Sequence, residues 1–167
     1  LVQALANLLS SSNLPGEIIL WDDGSAKEFQ QVNTSLQRLP NVVYHQQDKN
    51  EGRVIARQKL ALKANFEYLL FLDCDSEIIK DDFLLAYFNA IKKELPVAVG
   101  GRVYAEKPPD DCSLMLHWKY GTIRESRRHS GRPNKDTGFM SNNFLIKKSI
   151  FNQLENTVPI LGYGHED

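Results

Sequence analysis

Two acidic residues directly follow an apolar run in the middle of the chain, at residues 69–75, which read Leu-Leu-Phe-Leu-Asp-Cys-Asp. Such a run is typical of a buried parallel strand, which would deliver Asp73 and Asp75 to the carboxyl edge of a sheet. Ligands bind at that edge in open α/β sheets. Two carboxylates two residues apart suit a divalent cation that is also held by a diphosphate. The pattern therefore favours a site for a metal ion and a diphosphate.

Two further acidic pairs could reach the same edge. Asp22 and Asp23 follow another predicted strand, while Glu166 and Asp167 follow a Gly-Tyr-Gly turn that could return them to the same cleft. Three acidic clusters in one cleft would repel one another unless cations were present. This repulsion is the physical argument for a metal site.

Alternating apolar segments supply the elements that would position these residues. The predicted elements are a helix at 1–9 ended by residues 10–13, a strand at 17–21, a helix at 26–38 capped by Ser25, a strand at 42–45, a helix opened by Gly52, a strand at 69–72, a helix at 80–94, and strands at 97–103 and 144–146. Steady alternation of strand and helix indicates an α/β protein with a parallel sheet and crossover helices.

Residues 106–137 have a different pattern. They begin near the pair Pro108-Pro109 and show little apolar periodicity beyond residues 114–118, which predicts one helix and a mobile loop within the domain. The loop carries a basic cluster of Arg124, Arg127, Arg128, Arg132 and Lys135. The basic cluster could steer a phosphate-bearing substrate, or form a solvated loop.

Composition limits the classes of partner. The 167 residues are enough for one domain with a core, and 42% hydrophobic with 25% charged residues is ordinary for a globular protein. A net charge of −1 gives no reason to expect nucleic acid or an anionic membrane as the main partner. No stretch approaches the roughly 20 apolar residues that span a bilayer. Cys74 lies inside the acidic motif and Cys112 far from it, which favours a reducing compartment over a disulfide scaffold.

Four motifs, in order, resemble family 2 glycosyltransferases with the GT-A fold. Residues 17–25, Glu-Ile-Ile-Leu-Trp-Asp-Asp-Gly-Ser, look like the nucleotide-binding segment of that family, and residues 50–57 resemble its next motif. Residues 72–75 are similar to its metal-binding Asp-x-Asp, and residues 162–167 to the segment that carries its catalytic base. The resemblance covers essentially the whole chain and implies one GT-A catalytic domain over 1–167, with a mostly parallel, doubly wound sheet.

The resemblance is incomplete at both ends. The family normally begins with a strand of the type Val-Ser-Val-Ile-Ile-Pro-Thr-Tyr, whereas this chain begins in the helix that would follow it. The chain also stops on the proposed base. We therefore expect an internal fragment of a larger enzyme, truncated at both ends.

The resemblance implies roles for the donor-side residues. Asp22 or Asp23 would hydrogen-bond the base of a nucleotide sugar. Arg57 would lie near the base and ribose, or near the phosphates. Asp73 and Asp75 would bind ribose and a Mn²⁺ or Mg²⁺ ion, with Asp75 as the more direct metal ligand.

The resemblance also implies the reaction. Asp167, or failing that Glu166, would be the general base that deprotonates an acceptor hydroxyl, with inversion at the anomeric carbon. A divalent ion would neutralise the charge that develops on the diphosphate. Asn142 and Asn143 follow the basic loop and are candidates for contacting the donor sugar or the acceptor, with an ordinary structural role as the equal alternative.

The expected partners are a nucleotide-diphosphate sugar and a carbohydrate, lipid-linked or protein acceptor, with no nucleic acid. The family suggests polysaccharide synthesis at a cytoplasmic location, at most peripheral to the inner face of the membrane through regions that this sequence lacks.

Two other classes also end a strand in acidic residues. A phosphohydrolase of the haloacid dehalogenase type would use Asp73 as its nucleophile, but its motif lies near the start of the domain and usually continues with Gly-Thr or Gly-Val, not Ser76-Glu77. A phospho-receiver module would need a Lys at the end of a late strand, which residues 97–103 do not provide. Neither alternative explains residues 50–57 or 162–167.

Overall fold

A computed structural model describes residues 1–126 and 139–156 and confirms the predicted α/β class. The helices are α1 (Val2–Ser12), α2 (Lys27–Thr34), α3 (Arg53–Lys63), α4 (Phe83–Lys92), α5 (Met115–Tyr120) and α6 (Lys148–Phe151). The strands are β1 (Ile18–Asp23), β2 (Val42–Gln47), β3 (Tyr68–Leu72), β4 (Val97–Val99) and β5 (Asn143–Lys147). Short 3₁₀ turns cover Ser35–Arg38, Cys112–Leu114 and Asn152–Asn156, and Gly121–Glu125 form a π-helical turn.

The strands form two sheets in the described part of the chain. β1 and β2 pair in parallel, with Ile18 opposite Val42. β5 lies between β3 and β4 and is antiparallel to both. The expected mostly parallel, doubly wound sheet is thus seen only in the β1–β2 pair. The apolar run at residues 144–146 would look the same in a parallel and in an antiparallel strand. The long connection before it allows the chain to enter the sheet from either end.

The main hydrophobic core lies between α3 and one face of the β3–β5 pair. Leu69 is opposite Ile146 and Phe71 is opposite Phe144, so these four side chains share one face. All four are buried together with Ala61 of α3. The stacked rings of Phe71 and Phe144, with centroids 5.1 Å apart, form the end of this core that is nearest to Asp73.

The opposite face of the same sheet is held by α4. The Tyr87 hydroxyl donates a hydrogen bond to Oδ1 of Asn143, and Nδ2 of Asn143 donates to the carbonyl of Gly101 at 3.1 Å. β4 ends at Val99, earlier than the predicted strand at 97–103, because Gly101 adopts a φ of 76° and leaves the extended conformation. Helices therefore cover both faces of this sheet.

Two predicted helix boundaries differ from the structure. The helix predicted at 26–38 becomes α2 and a 3₁₀ turn, and its N-cap is Ala26, without a side-chain cap. Ser25, predicted as the cap, lies one residue before this N-cap, and its amide donates to Asp22 at 2.8 Å. The helix predicted at 80–94 is α4, which begins at Phe83. Among the described residues, no helix combines the length and hydropathy that crossing a membrane requires.

Candidate functional site

The first acidic residue of β1, Asp22, is buried and its carboxylate is held on both oxygens. Its exposed fraction is 6%, and it accepts hydrogen bonds from the Tyr44 hydroxyl at 2.6 Å and the Ser25 amide at 2.8 Å. Burial opposes the charge, but the hydrogen bonds from Tyr44 and Ser25 hold the pKa of Asp22 below its ordinary value. Asp22 is therefore an ionised group that fixes the end of β1 against β2.

The second residue of the pair, Asp23, binds the N-terminal end of α3. It accepts from the backbone amides of Glu51 at 3.0 Å and Gly52 at 2.8 Å, and from the side chain of Gln47. Gly52 is the N-cap of α3. Free amides at a helix N-terminus favour a negative charge, so Asp23 is stabilised there without any metal ion.

Gly24 brings the chain after Asp23 close to the segment that leads into α3. Its φ is +82°, and a Cβ atom at this position would lie 2.6 Å from the backbone nitrogen of Asn50. A side chain would therefore both strain the backbone and collide with main-chain atoms. This close approach explains the glycine in the sequence Asp-Asp-Gly-Ser.

A lysine continues the polar network along α3. Nζ of Lys59 donates to Oε1 of Gln47 at 2.6 Å and to the carboxylate of Glu51, and it lies 5.4 Å from the ring centroid of Trp21. The network links the residues of β1, β2 and α3 that surround Asp23. It also gives Glu51 a positive partner.

The acidic residue at the end of β3, Asp73, binds α3 through arginines. Nη2 of Arg57 donates to Oδ1 of Asp73 at 3.2 Å and to the carbonyl of Ser141 at 2.7 Å. The same guanidinium lies 5.6 Å from the ring centroid of Phe144 and 6.0 Å from that of Phe71. Arg57 thus joins the end of β3 to the start of β5 above the apolar core.

Arg53 is a site residue that sequence reasoning did not single out. Its Nη1 lies 3.9 Å from Oδ2 of Asp73. Its position four residues before Arg57 was the available signal, because residues i and i+4 share one face of a helix. Gly52 and Arg57 are five residues apart, about 7.5 Å along the axis of α3. The acidic ends of β1 and β3 are consequently both held by the first half of one helix.

Asp75 is placed differently from the other carboxylates. It is exposed in the turn after β3, which the amide of Ser76 closes by donating to the carbonyl of Asp73 at 3.3 Å. Its charge acts on Arg102: burial would lower the pKa of Arg102, but hydrogen bonding to Tyr104 and the charges of Glu125 and Asp75 raise it. Asp75 is therefore an exposed carboxylate whose charge reaches Arg102.

These contacts correct the argument from repulsion. Asp22, Asp23 and Asp73 are compensated by hydrogen-bond donors, by the N-terminus of α3 and by arginines, so they do not require a cation to coexist. The described residues contain no group of three or more His, Cys, Asp or Glu side chains that could hold a metal ion. Asp73 and Asp75 nevertheless fit an ion of the Mg²⁺ type, which binds one or two carboxylates together with substrate phosphates and water.

Several predicted site residues lie outside the described residues. They are the proposed bases Glu166 and Asp167, and Arg127, Arg128, Arg132 and Lys135 of the basic cluster. Of that cluster, Arg124 lies in the π-helical turn Gly121–Glu125. The helix expected within residues 106–137 is present as α5, and Nε1 of Trp118 anchors it by donating to the carbonyl of Ala105 at 2.8 Å.

Comparison with known proteins decides the family. A family model for glycosyl transferase family 2 matches residues 1–155. The chain belongs to this family. It is therefore a glycosyltransferase domain, and family membership implies a nucleotide-sugar donor and an acceptor. The match ends before Glu166 and Asp167, so their role stays a prediction. No curated protein matches the chain.

Proposed function

We propose that this glycosyltransferase is metal-dependent and moves a sugar from a nucleotide-diphosphate sugar to an acceptor hydroxyl with inversion. The observation that carries the proposal is the convergence of the acidic ends of β1 and β3 on the first half of α3, in a chain of this family. One end stabilises a helix N-terminus, and the other presents an exposed carboxylate, Asp75, beside Asp73.

The two acidic ends would contact different parts of the donor. Of the β1 pair, Asp23 is the better candidate for contacting the nucleotide base, because Asp22 is buried whereas Asp23 is only partly buried. Asp73 would contact the ribose, and Asp73 with Asp75 would hold a Mn²⁺ or Mg²⁺ ion. The ion would supply charge neutralisation to the leaving diphosphate.

The chemical step assigns one proton transfer to the protein. The carboxylate of Asp167, or of Glu166, would take the proton of the acceptor hydroxyl as its oxygen bonds to the anomeric carbon. The bond from that carbon to the diphosphate breaks, and the nucleoside diphosphate leaves with the bonding electrons. A positioned general base contributes about 10²- to 10⁴-fold to such a rate.

Calorimetric titration of the intact protein with UDP and GDP, with and without Mn²⁺, tests the donor assignment. We expect one nucleotide to bind, more tightly with the metal ion. Asp75→Ala should remove the effect of Mn²⁺, whereas Asp110→Ala, at an exposed aspartate outside the site, should retain it. Equal Mn²⁺ dependence in Asp75→Ala and the wild type would contradict the metal assignment.

A second variant tests the general base. Asp167→Asn should bind the donor normally but lose sugar transfer, and normal turnover would place the base elsewhere.

A further inference from the structure

Asn142, the residue before β5, has a buried side chain whose amide oxygen accepts no hydrogen bond from any described residue. Its exposed fraction is 5%, and no hydrogen bond to its Oδ1 is formed in the part of the chain that the structure describes. Buried polar atoms are almost always hydrogen-bonded, because the alternative leaves them desolvated without compensation. The unused hydrogen-bonding capacity of this buried oxygen therefore requires an explanation.

The register of the sheet places Asn142 opposite Asp73, the residue that Arg53 and Arg57 bind. Leu72 is opposite Asn143, and the amide of Asp73 donates to the carbonyl of Asn142 at 3.0 Å, which continues the ladder by one residue. Residues directly opposite in an antiparallel pair project from the same face of the sheet. Asn142 and Asp73 thus share the face that carries the rings of Phe71 and Phe144.

The cations on that face are committed to other acceptors. Nη2 of Arg57 donates to the backbone carbonyl of Ser141 and to Asp73. Arg53 lies against the other oxygen of Asp73. Among the described residues, these two guanidinium groups bind Asp73 and Ser141, and the Asn142 oxygen receives no hydrogen bond.

We propose that Oδ1 of Asn142 accepts a hydrogen bond from a hydroxyl group of the bound nucleotide sugar. This inference rests on the proposed function and deepens it by one residue. A phosphate has only acceptor oxygens at neutral pH and cannot satisfy an amide oxygen. A second cation would be repelled by Arg53 and Arg57, which lie on the same face. A hydroxyl group is the neutral donor that the ribose and the transferred sugar both carry.

The neighbouring Asn143 is a matched control. It lies on the opposite face of the sheet, and both ends of its amide are bonded, to the hydroxyl of Tyr87 and to the carbonyl of Gly101. Removing an acceptor oxygen that has no partner leaves no donor unsatisfied, whereas replacing the bonded amide of Asn143 leaves the Tyr87 hydroxyl and the Gly101 carbonyl without their partner. Asn143→Leu should therefore cost more stability than Asn142→Leu.

The ligand-free test compares Asn142→Leu with Asn143→Leu in the intact protein by thermal unfolding. We expect the Tm of Asn142→Leu to equal or exceed that of the wild type. The Tm of Asn143→Leu should fall by about 4 °C or more, because two hydrogen bonds are lost. A Tm of Asn142→Leu that falls as far as that of Asn143→Leu would show that the protein itself satisfies this oxygen, and would overturn the inference.

The ligand test uses calorimetric titration with UDP, UDP-glucose, GDP and GDP-mannose in the presence of Mn²⁺. Asn142→Leu should weaken binding of the sugar nucleotide that the wild type accepts by about 5- to 30-fold, the effect of one buried hydrogen bond. Weaker binding of the sugar nucleotide alone would assign the hydroxyl to the transferred sugar, whereas an equal loss for the nucleoside diphosphate would place the donor group on the nucleoside, where the ribose carries the hydroxyls.

The two proposals fail in distinguishable ways. If the wild type binds its nucleotide and Asn142→Leu binds it equally well, the inference fails and the proposed function stands. If the wild type binds none of the four compounds in the intact protein, both proposals fail together.

Discussion

The ends of β1 and β3 have similar sequences, an apolar run followed by two carboxylates, but the protein treats them in opposite ways. At the end of β1, Asp22 is buried and bonded by a hydroxyl and an amide, and Asp23 is bonded by two amides at the start of α3. At the end of β3, Asp73 is paired with arginines and Asp75 is exposed.

The comparison shows that an acidic pair is not in itself evidence of a ligand site. Hydrogen bonds from neutral donors can occupy both oxygens of a carboxylate, which then stabilises a turn, as for Asp22. A carboxylate that the fold leaves exposed, as for Asp75, keeps its oxygens available to a ligand. The first end then contributes mainly to stability, and the second mainly to binding.

Removing one carboxylate from each end should give the largest difference between them. Asp22→Ala should lower the free energy of unfolding by about 3 kcal/mol, because it leaves the Tyr44 hydroxyl and the Ser25 amide without their charged acceptor. Asp75→Ala should change it by less than about 0.5 kcal/mol, since Asp75 is exposed. Urea unfolding of both variants measures this, and equal losses would show that the two ends do not differ.

Two glycines test how much the close packing after β1 contributes to stability. Gly24 and Gly52 both have φ above 80°, but a Cβ at Gly24 meets the backbone at 2.6 Å whereas one at Gly52 meets nothing within 4 Å. Gly52→Ala should cost about 1 kcal/mol, from backbone strain alone. Gly24→Ala should cost about 2–3 kcal/mol, because the collision with residues 49–50 adds to the strain. Similar values for both would mean that the close approach is unimportant to the end of β1.

The sequence predicted the existence of these strands better than their pairing. The runs at residues 42–45, 69–72 and 144–146 lie in strands of the structure, as does the run at 17–21 from Ile18 onward, because burial of both sheet faces requires such runs. The antiparallel entry of β5 could not be read in the same way, since an apolar run is the same in both directions. It is fixed by contacts that are distant in sequence, such as Leu69 with Ile146.

The candidate site was predictable in position but not in its charge balance. The motif at residues 50–57 contains the amides and the arginines that compensate the two acidic ends, yet its effect depends on α3 starting beside Asp23 and lying over Phe71. Repulsion between carboxylates, which suggested a cation, is therefore largely removed within the protein. Asn142 shows the same limit, because only the sheet register reveals that it is opposite Asp73.

Arg57 of α3 provides a smaller test of the end of β3. Arg57→Met should lower the free energy of unfolding by about 2 kcal/mol, because it leaves Asp73 and the Ser141 carbonyl without Nη2. Lys63→Met, at an exposed lysine in the last turn of the same helix, should cost less than about 0.5 kcal/mol. Urea unfolding again distinguishes them, and equal losses for the two variants would contradict the described pairing of Arg57.

The smallest expected effect is a pH dependence at the end of β1. Burial, and then the hydrogen bond to Asp22, raise the pKa of Tyr44 from 10.0 to about 12. Between these values the unfolded chain loses the phenol proton while the folded protein keeps it, so stability should fall as pH rises from about 10 to 12. Tyr44→Phe should be about 1 kcal/mol less stable at neutral pH, from the lost hydrogen bond, but should decline less steeply above pH 10. Parallel alkaline declines in the wild type and Tyr44→Phe, measured by urea unfolding between pH 10 and 12, would show that Asp22 does not hold the Tyr44 proton.

Tyr87 gives an effect of the same kind. Burial raises the pKa of Tyr87 to about 12, so Tyr87→Phe should also reduce the loss of stability between pH 10 and 12. Its cost at neutral pH should be smaller than that of Tyr44→Phe, because the acceptor on Asn143 is uncharged.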